Sequence, residues 1–155
     1  MKKVNKMQVI FCEPQLTNNK TENTNLFFTE CRKILDYYLC EKIYIGNTML
    51  LNRVIEKEAD KDDILIFFNS EDGNYDVKFQ RLIRKYYMAQ SRIWPIALEK
   101  ESRMPPEPVL EKQSFDIPSQ IENRTILQNS IKEVAHIFSR KIIAQTLSPL
   151  YHDEV

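Results

Sequence analysis

The chain has 155 residues, of which 43% are hydrophobic and 28% charged, as expected for one globular domain. Lysine plus arginine equals aspartate plus glutamate at 22 each, so the net charge indicates neither a nucleic-acid nor a membrane partner. No apolar run approaches the roughly 20 residues that cross a bilayer, and the one near the N-terminus is too short for a signal peptide. We expect one cytoplasmic domain over residues 1–155, with its core at about 8–146.

Short apolar runs alternate with amphipathic segments along the chain. The runs that predict β-strands are residues 8–12, 42–46, 64–68, 92–98 and 113–117. Helical spacing is found at about 25–38, 48–55, 76–90 and 122–146. Thr24 or Asn25 should cap the first of these helices, and Pro149 should prevent the last from continuing.

This alternation predicts an α/β fold with a parallel sheet, right-handed crossovers and helices on both faces. Five strands fit the flavodoxin-like order 2-1-3-4-5, in which ligands bind outside the carboxyl ends of the strands. The loops that leave this edge are residues 13–24, 46–48, 69–75 and 99–112. The only two glycines, Gly46 and Gly73, both fall there, where they serve either a turn or the close approach of a ligand.

No strong catalytic motif is present. The chain has no GxGxxG, P-loop or GxSxG sequence, and its two histidines, His136 and His152, cannot reach the carboxyl edge. The cysteines lack CxxC spacing, and Cys12 and Cys31 are expected to be reduced packing thiols. We therefore expect no metal and no tightly bound cofactor.

Four stretches in this order resemble the Toll/interleukin receptor (TIR) domain family from Gln8 to about Ile143. They are VIFCEP as the first strand and loop, DDILIFFNS as the third strand ending in Ser70, RIWPIAL as the fourth strand, and MPPEPVLEKQSFDI as a proline-containing loop with the fifth strand. The apolar-apolar-Pro-apolar pattern of the family's fourth strand gives a reason for Pro95.

The resemblance implies one of two activities. Some TIR domains, including bacterial ones that act in defence against phage, cleave NAD at the nicotinamide–ribose bond or make nucleotide signals, with NAD as substrate. The enzymes rely on a glutamate in the helix that follows the serine loop. Here that helix reads YDVKFQRLIRKYYMAQ, and the matching position falls near Leu82, Gln80 or Lys78, none of which is a carboxylate. The family's Trp-Cys before the glutamate is also missing.

Another acid would then have to serve. The candidates are Glu13, Glu71, Asp72 and Asp76, with Glu13 and Glu71 as the preferred catalytic pair. Glu13 directly follows an apolar strand, where a carboxylate can have a perturbed pKa, although it can equally bond nearby backbone amides. The predicted nucleotide pocket has seven members: Phe11, Glu13, Asn47, Ser70, Asp72, Gly73 and Trp94.

Two further classes remain open. Other TIR domains are non-catalytic modules that self-associate or dock on a separate partner protein, and the absent glutamate favours this class. Its interface would use tyrosines that are partly exposed, although most of these should pack on the sheet: Tyr37, Tyr38, Tyr86 and Tyr87. The third class, a nucleoside deoxyribosyltransferase-like enzyme, needs a glutamate nucleophile that the sequence does not place.

Overall fold

The computed structural model of the protein describes residues 7–19, 21–46, 58–70, 72–97, 105–109, 115–116 and 128–152. Its strands are β1 Val9–Cys12, β2 Ile43–Gly46, β3 Ile64–Phe68, β4 Arg92–Ala97 and β5 Phe115–Asp116. Its helices are α1 Glu22–Leu39, α2 Val77–Met88 and α3 Gln128–His152, with short 3-10 helices at Pro14–Thr17 and Cys40–Lys42. None of these described helices has both the length and the apolar composition that crossing a membrane requires. The helix expected at 48–55 lies outside the described residues.

The strands form a parallel sheet in the order β2-β1-β3-β4-β5. At its centre Phe11 of β1 lies opposite Ile45 of β2 and Ile66 of β3. These observations confirm the predicted α/β class with a parallel sheet. Four strands have four to six residues, whereas the fifth, expected over 113–117, is described only as the two residues of β5. Strand β5 pairs with Ile96 and Ala97, and Pro95 comes just before this pairing. The backbone N–H that proline lacks therefore costs the sheet little.

Helices cover both faces of the sheet, as expected. Alternate residues of a strand point to opposite faces, so Val9 and Phe11 pack with α1 and α3, whereas Ile10 and Cys12 pack with α2. All residues of β1 and β3 are buried. This explains why both strands read as continuous apolar runs rather than as alternating ones.

Helix α1 begins earlier than predicted. Its N-cap is Thr21, whose hydroxyl accepts a hydrogen bond from the backbone N–H of Thr24 at 3.1 Å. Thr24, one of the two predicted caps, lies inside the helix and is buried. Its hydroxyl instead donates to Oδ1 of Asn19 at 2.9 Å. The side chain that was expected to cap the helix therefore bonds to the loop before the helix.

The prediction that Pro149 ends the last helix is wrong, because α3 continues to His152. Proline has no N–H to donate to the carbonyl four residues earlier, which here belongs to Gln145. The guanidinium of Arg92 donates to that carbonyl instead. The hydrogen bond that proline removes is thus replaced by one from β4, and this lowers the cost of keeping the backbone helical.

Candidate functional site

The carboxyl ends of β1 and β3 bring two polar loops to the same edge of the sheet. The two strands are parallel neighbours, and the chain leaves them at Glu13 and Asn69. The backbone N–H of Glu13 donates to the carbonyl of Gly46 at 2.9 Å, and that of Asn69 to the carbonyl of Ile96 at 2.9 Å. Both loops therefore begin from backbone positions that adjacent strands hold in place.

Hydrogen bonds join these two loops to each other. The Asn19 side-chain amide donates to the carbonyl of Asn69 at 2.9 Å, in a buried position. Next to it, the Asn18 amide donates to Oδ2 of Asp72 at 3.0 Å, at the surface. Asn18 has a φ of 56°, a left-handed conformation that asparagine tolerates better than most residues. The loop after β1 is therefore fastened to the loop after β3 at two adjacent points.

The segment after Ser70 is a turn built around Asp72. The Asp72 carboxylate accepts from the Ser70 hydroxyl at 2.6 Å and from the backbone N–H of Asn74 at 2.9 Å. These two hydrogen bonds hold the pKa of Asp72 below its ordinary range. Gly73 has a φ of +77°, which an L side chain rarely adopts, so its glycine is explained by the turn.

Tyr75 supports this turn from the core side. Its hydroxyl accepts from the backbone N–H of Ser70 at 2.9 Å, and its ring stacks on Phe79 with centroids 6.0 Å apart. Burial raises the pKa of Tyr75 to about 12, so the hydroxyl stays protonated at neutral pH. Ser70 is thereby held through both its backbone and its side chain.

The turn should respond to acid through Asp72. Because its pKa lies below the ordinary value of 3.8, the carboxylate stabilises the turn above that pH, and the stabilisation is lost as the pH falls through the lowered pKa. We expect the amide resonance of Asn74 to titrate with a midpoint below 3.8. Ser70→Ala removes the stronger hydrogen bond and should move the midpoint upward. A midpoint at or above the ordinary value in the unsubstituted protein would contradict the geometry described.

Four of the predicted pocket residues lie in the two loops that leave this edge, namely Glu13, Ser70, Asp72 and Gly73. Glu13 is half-buried directly after the fully buried β1, and Ser70 is buried. Asn47 and Glu71 lie outside the described residues, so their roles remain predictions from the sequence.

The two predicted aromatic members are placed differently: Phe11 lies in the core, and Trp94 is half-buried and packs against it. The Phe11 ring is fully buried, with centroids 4.7 Å from Phe28 and 6.1 Å from Phe68. Trp94 lies opposite Ile66, before the end of β4, and its indole N–H donates to Gln145 at 2.7 Å. Neither ring reaches the polar edge in this arrangement, because both point from the sheet toward α1 and α3.

Helix α2 contributes no carboxylate to the site. Its sequence between Val77 and Met88 contains no acidic residue. Of the three positions that the resemblance left open for the family's glutamate, Leu82 is buried, whereas Gln80 and Lys78 are exposed. Asp76 precedes the helix and caps it by accepting from the N–H of Lys78 at 3.0 Å. Among the described candidates, Glu13 is therefore the carboxylate without a structural hydrogen bond assigned to its side chain.

The glycine and the thiol beside this edge have packing roles. A Cβ on Gly46 would lie 3.2 Å from Sγ of Cys12, so glycine allows β2 and β1 to approach closely. Burial raises the pKa of Cys12 to about 12, which keeps the thiol protonated and unreactive. Cys31 is buried as well, as expected. Among the described residues, no group of three or more His, Cys, Asp or Glu side chains is arranged to hold a metal ion.

The sequence reasoning overlooked the residues that connect the two loops. Asn18, Asn19 and Tyr75 make the contacts described above, yet none was singled out as a site residue. The Asn-Asn pair in the loop after a buried strand could have indicated a hydrogen-bonded turn there, because asparagine favours left-handed turns and local hydrogen bonds. The partners of the two asparagines, Asp72 and Asn69, lie 54 and 50 positions away along the chain, so no local pattern links them.

The fold and this edge define an α/β protein with a parallel sheet, whose polar loops meet at the carboxyl ends of two central strands. Comparison of the chain with models of protein families, with curated proteins and with solved structures finds no match.

Proposed function

We propose that the chain is a TIR-like domain that binds NAD, or a related nucleotide, at the edge formed by Glu13, Ser70 and Asp72. The observation that carries the proposal is that Glu13, a half-buried acid, follows β1, while a hydrogen-bonded polar turn follows β3, the parallel strand next to it. Ligands of such sheets bind at this edge. The proposal includes a full flavodoxin-like sheet and a role in bacterial defence or signalling, as the resemblance implies.

Glu13 has a definite chemical role in this proposal. When the bond between the nicotinamide nitrogen and the ribose breaks, the electron pair leaves with nicotinamide and positive charge develops on the ribose. A carboxylate close to the ribose stabilises that charge or orients the ribose hydroxyls, and water then adds to the ribose carbon and releases a proton. Helix α2 contains no acidic residue that could take this role, so we assign it to Glu13, which directly follows β1.

Contact with a ring of the nucleotide is assigned to Tyr75 in place of Phe11 and Trp94. Tyr75 is half-buried and lies at the same edge as Ser70, to which its hydroxyl is bonded. Aromatic side chains stack on planar rings through offset or edge contacts. Phe79 already covers one part of the Tyr75 ring, so a bound nucleotide would contact the part that remains exposed.

The proposal is tested by incubating the purified protein with NAD at high protein concentration. Bound NAD is measured by calorimetry and released nicotinamide by chromatography. If Glu13 stabilises the charge on the ribose, Glu13→Ala should lower nicotinamide release by about a hundredfold or more. Glu13→Gln should lower it comparably, because the amide keeps the shape but not the charge.

Glu133→Ala is the matched control, since it removes an exposed carboxylate from α3. It should leave both binding and release unchanged. Glu71→Ala tests the second predicted acid in the same assay. Release that survives the loss of both Glu13 and Glu71 would remove these acids from the mechanism, and a protein that neither binds NAD nor releases nicotinamide would refute the proposal.

A second candidate function, a non-catalytic interaction module, is supported by the exposed aromatic pair at the end of α1. Tyr37 and Tyr38 are 76% and 64% exposed, and their ring centroids lie 4.9 Å apart. Tyrosine is enriched in protein interfaces. Tyr86, which the sequence grouped with them, is buried and does not belong to this surface. Concentration-dependent sedimentation in the absence of NAD turnover would favour this alternative.

A further inference from the structure

The outer face of α2 has a concentration of positive charge. Between Val77 and Met88 there are four basic residues and no acidic one, although the whole chain has equal numbers of both. Lys78, Arg81 and Arg84 are exposed, and Lys85 is half-buried. Among the described residues, none of the side chains of Lys78, Arg81 and Arg84 forms an ion pair.

These charges form part of an ordered stripe along the helix. At roughly 100° per residue, Val77, Arg81, Arg84 and Met88 all fall on one line along the outer surface, about 16 Å long. The buried residues of the helix, centred on Tyr86 and Leu82, lie on the opposite side. The stripe therefore points directly away from the sheet, with two arginines between two apolar ends.

The apolar ends of the stripe are unusually exposed. Val77 is 61% exposed and Met88 is 74% exposed, and Tyr87 beside Met88 is 44% exposed. Arginine, methionine and tyrosine are the residue types enriched in protein interfaces. A helix face that only contacts water has no need of large apolar side chains at both ends of its charged centre.

We infer that this stripe is a docking surface for an acidic amphipathic helix of another protein. Carboxylates in the middle of that helix would pair with Arg81 and Arg84, and apolar residues at its two ends would cover Val77 and Met88. A second copy of the chain offers no such match among its described helices: α1 has acidic and basic residues mixed, and α3 is itself basic on balance. This inference does not depend on what binds beside Glu13.

The stripe suits a protein better than a nucleic acid. Phosphate backbones are bound by basic and hydrogen-bonding groups, and exposed Val77 and Met88 supply neither. An acidic protein surface can satisfy both the charge and the apolar ends. The affinity should also fall as the salt concentration is raised. Salt screens interactions between exposed charges, whose range is about 10 Å at ~0.1 M ionic strength and shorter at higher salt.

The inference is tested by NMR titration of the full chain, labelled with ¹⁵N, with a synthetic helical peptide of about 14 residues, long enough to match the stripe. The peptide has glutamates one helical turn apart at its centre and leucines at both ends. A scrambled peptide of the same composition is the negative control. We expect saturable shifts of the amides of α2 with the ordered peptide and a clearly weaker affinity for the scrambled one.

Charge reversal provides the decisive comparison. Arg81→Glu with Arg84→Glu should weaken binding about tenfold or more, and a peptide with lysines in place of its glutamates should restore it. Arg140→Glu with Lys141→Glu makes the same charge change on the exposed face of α3, and should alter affinity by less than about twofold. Val77→Ser with Met88→Ser, which keeps the charge, should weaken binding by about threefold to tenfold.

Three results would overturn the inference. They are equal binding of the scrambled and ordered peptides, equal loss in the α2 and α3 charge-reversal variants, and tighter binding of a single-stranded oligonucleotide or of anionic phospholipid vesicles than of the peptide. Because all substituted side chains are exposed, circular dichroism should show an unchanged fold in every variant, so a loss of binding can be assigned to the surface.

Discussion

Replacement of Phe138 by alanine should lower the free energy of unfolding by about 3–5 kcal/mol, the range for deleting a buried aromatic side chain. Phe138 is fully buried on α3. Its ring lies 5.0 Å from that of Phe115, 5.6 Å from Trp94 and 5.7 Å from Phe27. One side chain thus connects α3 to α1, β4 and β5, and its loss leaves a cavity that residues on four elements would have to close.

Chemical denaturation followed by far-ultraviolet circular dichroism measures this change. Ile137→Ala is the matched control, because the neighbouring side chain is partly exposed and makes no such connection. It should cost less than about 1 kcal/mol. A loss of similar size in both variants would show that Phe138 does not hold these elements together.

Asp63→Ala should lower the free energy of unfolding by about 2–4 kcal/mol, since two partly buried backbone donors lose a charged acceptor. Asp63 is almost fully buried just before β3. One carboxylate oxygen accepts from the N–H of Gln8 at 2.9 Å and the other from the N–H of Asp60 at 2.9 Å. The side chain therefore connects the start of β1 to the segment that leads into β3, at the edge opposite the candidate site.

The adjacent Asp62→Ala is the control for Asp63. Its backbone carbonyl accepts the hydrogen bond from Arg92, and its half-buried carboxylate acts on Arg92 through charge alone, so the substitution should change the free energy of unfolding by less than about 1 kcal/mol. Asp63→Asn keeps one acceptor oxygen and should fall between the two. Equal effects of Asp62→Ala and Asp63→Ala would mean that the two backbone donors find other partners.

The opposite edges of the sheet differ in what their acids do. Asp63 is buried and its oxygens are occupied by backbone donors. At the carboxyl edge, Asp72 is fully exposed and organises a turn, while Glu13 is half-buried without an assigned side-chain bond. A carboxylate used for structure is saturated with donors, whereas one used for binding must keep its oxygens accessible. Glu13 is therefore the acid at this edge that the proposed function uses.

Much of the fold could be predicted because it depends on local patterns. The continuous apolar run at 64–68 is β3 with the expected bounds, and the stripe of Ile131, Val134, Phe138 and Ile142 is the buried face of α3. Such patterns indicate burial because apolar side chains at the period of a strand or helix must share a face. The edge at which Glu13 and Ser70 meet follows in turn from the parallel order of β1 and β3.

Local sequence patterns could not predict the hydrogen-bond partner of each polar group. The Asn18–Asp72 and Asn19–Asn69 contacts join positions 54 and 50 residues apart, and the Arg92–Gln145 contact allows a helix to pass a proline. Phe11 was expected to line a pocket because it ends an apolar strand near Glu13, but Phe28 and Phe68 enclose its ring. Whether an aromatic ring or a carboxylate is free to bind depends on its neighbours in space.

The amino-acid sequence by itself determined the class of fold, the buried strands and the edge of the sheet at which the polar loops lie. The tertiary structure decided which side chains at that edge are occupied by the protein itself and which remain accessible. The physical reason is that burial patterns repeat over a few residues, whereas hydrogen bonds and ring contacts are formed between residues that only the folded chain brings together.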